Sequence, residues 1–111
     1  MGNTEFSEND ILSKAIEQIG SRLPPSWQVT PKNREMGSTD HAWDAWVEFK
    51  APTGEGVCLA LEAKRSIDPR EVSHLVAKGR PPKGWAPVLA SPFVNPSARD
   101  LLRKAGWGYV D

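Results

Sequence analysis

Residues 42–64 constrain the fold most, because two runs with a two-residue period are parted there by the turn-forming stretch Pro52-Thr53-Gly54-Glu55-Gly56. In the first run Trp43, Ala45, Val47 and Phe49 share one face, and Asp44, Trp46, Glu48 and Lys50 share the other; this is the alternation a β-strand imposes. In residues 57–64, Val57, Leu59, Leu61 and Ala63 lie on one side, and Cys58, Ala60, Glu62 and Lys64 on its opposite. An antiparallel hairpin follows, and the remaining elements have to be arranged around it.

Before the hairpin, Ser7, Glu8 and Asp10 mark a helix start, and Ile11, Leu12, Ala15, Ile16, Ile19 and Leu23 recur at helical spacing until Pro24-Pro25 stops them. Trp27 and Val29 alternate with polar residues in a short strand, and residues 32–39 read as a turn. After the hairpin, Asp68-Pro69 is a cap followed by a first-turn proline, opening a helix with Val72, Leu75 and Val76 as its buried stripe. The breaker-rich residues 79–84 end that helix, and residues 86–92 form an apolar strand. Asn95-Pro96 repeats the cap for a helix carrying Ala98, Leu101, Leu102 and Ala105, closed by Gly106, and residues 107–110 form a last strand. The order is α, β, β, β, α, β, α, β, which predicts an α/β (α+β) fold: a mixed sheet flanked by helices. A length of 111 residues suits one domain over 1–111, with no internal repeat or linker.

Composition narrows the chemistry. No apolar run approaches the roughly 20 residues of a membrane helix, and residues 1–10 lack the basic start and apolar stretch of a secretory signal. The expectation is a cytoplasmic protein without a membrane partner. Cys58 has no second cysteine to pair with, and two histidines with one cysteine do not make a closed zinc site, so any metal has to be held by oxygen. Fourteen basic residues balance 14 acidic ones, which argues against a protein that coats nucleic acid non-specifically. Lys64, Arg65, Arg70, Lys78, Arg80 and Lys83 nevertheless fall in one window, against Glu62, Asp68 and Glu71.

Side-chain parity decides whether the hairpin carries a site. If Ala51 pairs with Val57, Asp44 lies opposite Lys64 and Trp46 opposite Glu62, which collects Asp44, Glu62 and Lys64 on one face. A register shifted by two keeps them together, whereas a slip of one separates them. Two neighbouring carboxylates repel unless a proton or cation lies between them, and Mg²⁺ or Mn²⁺ suits such oxygen ligands. With Lys64 beside them, the chemistry is phosphodiester hydrolysis. The alternative is a Lys64–Asp44 ion pair of little energetic weight. Asp40 and Glu48 are rival acids, His41 and His74 are read as surface residues, and Cys58 as a packed thiol. Trp46 either covers the sheet or stacks on a base.

Asp44, 17 intervening residues, and then Glu62-Ala63-Lys64 at the end of an apolar strand resemble the PD-(D/E)XK superfamily of restriction-endonuclease-like proteins. The resemblance covers nearly the whole chain, although Trp43 stands where the family's name has proline. It implies that Asp44, Glu62 and the backbone carbonyl of Ala63 bind the metal, and that Lys64 assists the attacking water. It also implies a further acid from the first helix, for which Glu17 is the candidate. Residues 90–111 are similar to a stretch of nuclease-like domains in bacterial and archaeal regulatory proteins. The functional expectation is a magnesium-dependent endonuclease acting on DNA in preference to RNA, with Arg65, Arg70, Lys78, Arg80 and Lys83 on phosphates. So small a domain has little surface with which to grip a duplex, which implies a homodimer or an additional DNA-binding module. The alternatives are a catalytically inactive DNA-binding or regulatory module, and a protein-interaction domain.

Overall fold

Helix α1, Glu8–Ser21, opens on a reciprocal cap: the Ser7 hydroxyl accepts from the Asp10 N–H and the Asp10 carboxylate from the Ser7 N–H. The structure, a computed structural model, describes residues 7–32, 43–77 and 79–110. After α1 come strands β1 (Gln28–Lys32), β2 (Ala45–Lys50) and β3 (Gly56–Ala63), helix α2 (Pro69–Ala77), strand β4 (Trp85–Ala90), helix α3 (Pro96–Lys104) and strand β5 (Gly108–Val110). This α+β order is the one the sequence predicts. The five strands lie in chain order in one mixed sheet; β1–β2 and β2–β3 are antiparallel, β3–β4 and β4–β5 parallel. The turn expected at residues 32–39 lies almost wholly outside the described residues.

The β2–β3 hairpin is tighter than expected. Lys50 pairs with Gly56 and Ala45 with Leu61, a register two residues away from the Ala51–Val57 pairing. The reason is local: Ala51 donates to the Glu55 carbonyl at 2.7 Å and accepts from the Gly54 N–H at 2.9 Å. That leaves a three-residue loop ending on Gly54 at a φ of 98°, where a side chain would be strained. Gly56 sits where an added Cβ would meet the Phe49 carbonyl at 2.7 Å. The even-numbered shift preserves side-chain parity along the paired residues, but the ladder stops at Ala45: the Asp44 N–H turns to the carbonyl of Leu61, which is already Ala45's partner.

Helices cover both faces of the sheet, and each face has its own core. On one, Ile11 and Ala15 of α1 pack with Val47, Phe49, Leu59, Leu61, Ala63, Val88, Ala90 and Val110. On the other, Val72 and Leu75 of α2 and Ala98 and Leu102 of α3 pack with Ala60, Leu89 and the tryptophans Trp43, Trp46 and Trp107. The alternation of β3 is therefore a choice between two buried faces rather than between inside and water. Trp43 departs from its expected face: it stacks beside Trp46 and Trp107, with ring centroids 6.3 and 5.4 Å away. Trp46 is buried against Trp85 at 5.0 Å, so it covers the sheet. Val76 and Leu101, expected in helix stripes, are each 36% exposed, because each of these two-turn helices buries one narrow line against the sheet. Among the described residues no helix is long and apolar enough to cross a membrane.

Candidate active site

Three parallel strands end together, with Ala63 beside Ala90 and Ala90 beside Val110. At this carboxyl edge β2 begins, and Asp44 is the residue just before it. The Asp44 N–H donates to the Leu61 carbonyl at 3.0 Å, while its Oδ2 accepts from the Ala63 N–H at 2.8 Å. A side-chain carboxylate thus takes the ladder position that a backbone carbonyl would otherwise fill. This fastens an exposed aspartate to the middle residue of the Glu62-Ala63-Lys64 triplet.

Glu62 is 6% exposed, one of the two buried polar residues among those described. It lies on the α2/α3 face with Ala60, since its neighbours Leu61 and Ala63 belong to the α1 core. Lys64, partly buried, shares Glu62's parity, and its N–H donates to the Ala90 carbonyl at 3.0 Å. Among the described residues no ion pair joins Lys64 to Asp44; the Asp44 carboxylate is turned to the backbone instead.

Exchanging Asp44 for Ala is expected to cost about 1–2 kcal/mol, the contribution of a hydrogen bond to a carboxylate at a partly solvated position. Asp44→Asn, which keeps an acceptor oxygen, is expected to cost less than half of that. Chemical denaturation of the two variants measures the difference, and equal losses would mean that the bond to Ala63 is not what holds the strand start.

The other candidates disperse. Glu48 lies opposite Cys58 and pairs with Lys32 at 3.3 Å. His74 is exposed on α2, and Cys58 is partly buried. Asp40, His41 and Lys78 lie outside the described residues. Glu17 is exposed on α1. On the same helix Lys14 and Gln18, with Ser91, Pro92 and Val110, line a cavity of about 220 Å³. Gln18 Oε1 is buried without a hydrogen-bond partner. Sequence reasoning passed over both, although Ile11, Lys14, Ala15 and Gln18 form one stripe at helical spacing.

The basic window divides in two. Arg65 and Arg70 are exposed at the carboxyl edge, directly after β3 and in the first turn of α2. Arg80 and Lys83 precede β4, whose first residue Trp85 pairs with Cys58. That is four positions from Glu62, about 13 Å along the strand. The Arg80 guanidinium moreover donates to the Ala105 carbonyl at 3.0 Å, capping the end of α3.

A mixed five-stranded sheet in chain order, covered by helices on both faces, is a restriction-endonuclease-like fold. Solved structures share it. The chain is similar to a repair endonuclease from Pyrococcus abyssi, at a TM-score of 0.55 and 22% identity, over 98% of this chain and 48% of that one. It is also similar to the MspJI restriction endonuclease in complex with a 27-mer oligonucleotide, at a TM-score of 0.54 and 16% identity, over 90% of this chain and 24% of that one. The chain therefore spans less than half the length of either. No protein-family model and no curated protein matches it.

Proposed function

We propose that this chain is a metal-dependent nuclease unit that hydrolyses phosphodiester bonds, in DNA in preference to RNA, with Asp44 and Glu62 as metal ligands and Lys64 as the catalytic lysine. The observation that carries this reading is the bond from the Ala63 N–H to Asp44 Oδ2, which ties the aspartate to the Glu62-Ala63-Lys64 triplet. The DNA preference leans on the fold shared with a restriction endonuclease and a repair endonuclease.

The donor set fits a hard divalent ion. Among the described residues no group of three or more His, Cys, Asp or Glu side chains is arranged to hold a metal. Mg²⁺, however, keeps several of its waters and is commonly bound through one or two carboxylates. Asp44, Glu62 and the Ala63 carbonyl would supply the protein's oxygens, with Asp44 Oδ1 left for the ion while Oδ2 holds the backbone. When bound, such an ion polarises a phosphoryl oxygen and lowers the pKa of a water. Lys64, on Glu62's side of β3, orients the attacking water and offsets the negative charge that grows on the phosphorus oxygens. A second copy of the chain or an additional DNA-binding module completes the grip on a duplex.

Calorimetric titration with Mg²⁺ and Mn²⁺, run beside a plasmid-nicking assay, tests the proposal. Metal binding with nicking supports it; metal binding without nicking favours an inactive regulatory module; no metal binding by the intact chain overturns it.

The divided basic window gives a second expectation. Arg65→Ala and Arg70→Ala should each lower the slope of log affinity against log salt by up to about 0.9, the value of one phosphate contact. Arg80→Ala should leave the slope unchanged, because its guanidinium is committed to Ala105. Fluorescence anisotropy of a labelled oligonucleotide at several salt concentrations measures both; a slope altered only by Arg80→Ala would contradict this arrangement.

A further inference from the structure

Phe93 is 73% exposed, the most exposed of the large hydrophobic side chains among the described residues. Its backbone is not loose. The buried Ser91 hydroxyl accepts from the Phe93 N–H at 3.3 Å and donates to the Phe93 carbonyl at 2.9 Å. That carbonyl also accepts from the Ile67 N–H at 3.3 Å. The next residue, Val94, is buried and bridges to Ile67. The fold therefore fixes the backbone that carries an exposed aromatic ring, leaving unused the burial that would normally hide that ring.

Its place makes the ring informative. Phe93 is three residues from Ala90, whose carbonyl holds the Lys64 N–H, so it lies within about 11 Å of that carbonyl. The same edge carries the exposed Arg65 and Arg70. Of the acids at that edge, Asp68 and Glu71 are engaged in a reciprocal cap, each side chain accepting from the other's N–H at 2.9 and 3.1 Å, and Asp44 and Glu62 are the proposed metal ligands. The complement of an exposed ring on an edge that also carries exposed cations is a polyanion that presents flat apolar faces. In a duplex those faces are stacked away; in single strands they are free.

We infer that Phe93 stacks on an unpaired base beside the scissile phosphate, so that the preferred substrate carries a single-stranded stretch at the cleavage position. This rests on the nuclease reading for the word substrate, and on Phe93 alone for the preference.

The test measures affinity for two labelled DNAs of one sequence, a gapped duplex with three unpaired nucleotides and the fully paired form. A Glu62→Gln background allows binding to be read without hydrolysis. Phe93→Ala is expected to weaken the gapped complex about 5- to 100-fold, the loss of one base–aromatic stack, and the paired complex less than twofold. Phe93→Trp should restore the gapped complex and Phe93→Leu should not, since leucine keeps the apolar contact and loses the ring. So exposed a residue is not expected to shift the melting temperature on replacement, which excludes unfolding as the cause. Equal losses on both DNAs, no loss on either, rescue by leucine, or failure to bind either DNA would each overturn the inference. The split without hydrolysis in the unmutated chain would retain Phe93's role and remove the nuclease reading; hydrolysis without the split would do the reverse.

Discussion

Replacing Glu62 with Gln is expected to lower Mg²⁺-dependent nicking by about a thousandfold while leaving the fold intact. The substitution changes one oxygen to an amide nitrogen, so packing at a position only 6% exposed is preserved. On the proposed function, what is lost is one negative charge among the oxygens that Asp44 and Glu62 would offer a metal. Metal-ion stabilisation of the transition state is worth several kcal/mol, and about 4 kcal/mol corresponds to about three orders of magnitude in rate. On stability the expectation points the other way. A buried carboxylate is costly to desolvate, and a neutral isostere avoids much of that cost while keeping hydrogen-bonding capacity. The melting temperature of Glu62→Gln should therefore stay within a few degrees of the parent. Single-turnover nicking at saturating Mg²⁺, with a thermal melt of the same sample, measures both. A variant that nicks within tenfold of the parent would remove Glu62 from the metal site.

Phe49→Ala is expected to be the most damaging of the changes considered to stability, at about 3–5 kcal/mol. Phe49 is fully buried on β2, in the core that α1 shares with Leu59, Leu61 and Val88. Truncation there opens a cavity between helix and sheet that neither can close without shifting. Against a total stability of about 5–15 kcal/mol, the melting temperature should fall by about 15–25 °C. Leu101→Ala makes the contrast. Helical periodicity marks Leu101 as core, yet it is 36% exposed on α3, and its truncation should cost less than about 1 kcal/mol. Thermal melts of the two variants decide the matter; comparable losses would mean that α3 buries a wider stripe than its neighbour Leu102.

The sequence by itself determined the elements and their order, because caps, breakers and periodicity act within a few residues. Ser7 and Asp10 start α1, Gly54 turns the hairpin, and the two-residue period of 43–64 makes both strands. Parity on that hairpin proposed Asp44, Glu62 and Lys64 as one group, but the paired ladder stops at Ala45, and what ties Asp44 to the triplet is its bond to the Ala63 N–H. Tertiary structure decided whatever depends on two distant surfaces meeting. Trp43 turned to the tryptophan core because α3 and the approach to β5 bring Trp107 there, and Val76 and Leu101 stayed half in water because each helix meets the sheet along one narrow line. The basic window was one stretch in sequence but became two ends of a sheet, since α2 carries the chain from the carboxyl edge back to the amino end of β4. Likewise Asp44 was legible as a candidate acid near the start of the strand, whereas its bond to the Ala63 N–H follows from where β2 begins beside β3. Periodicity reports which side a residue faces only while the strand or helix runs unbroken; the packed chain decides where it breaks and what stands on each side.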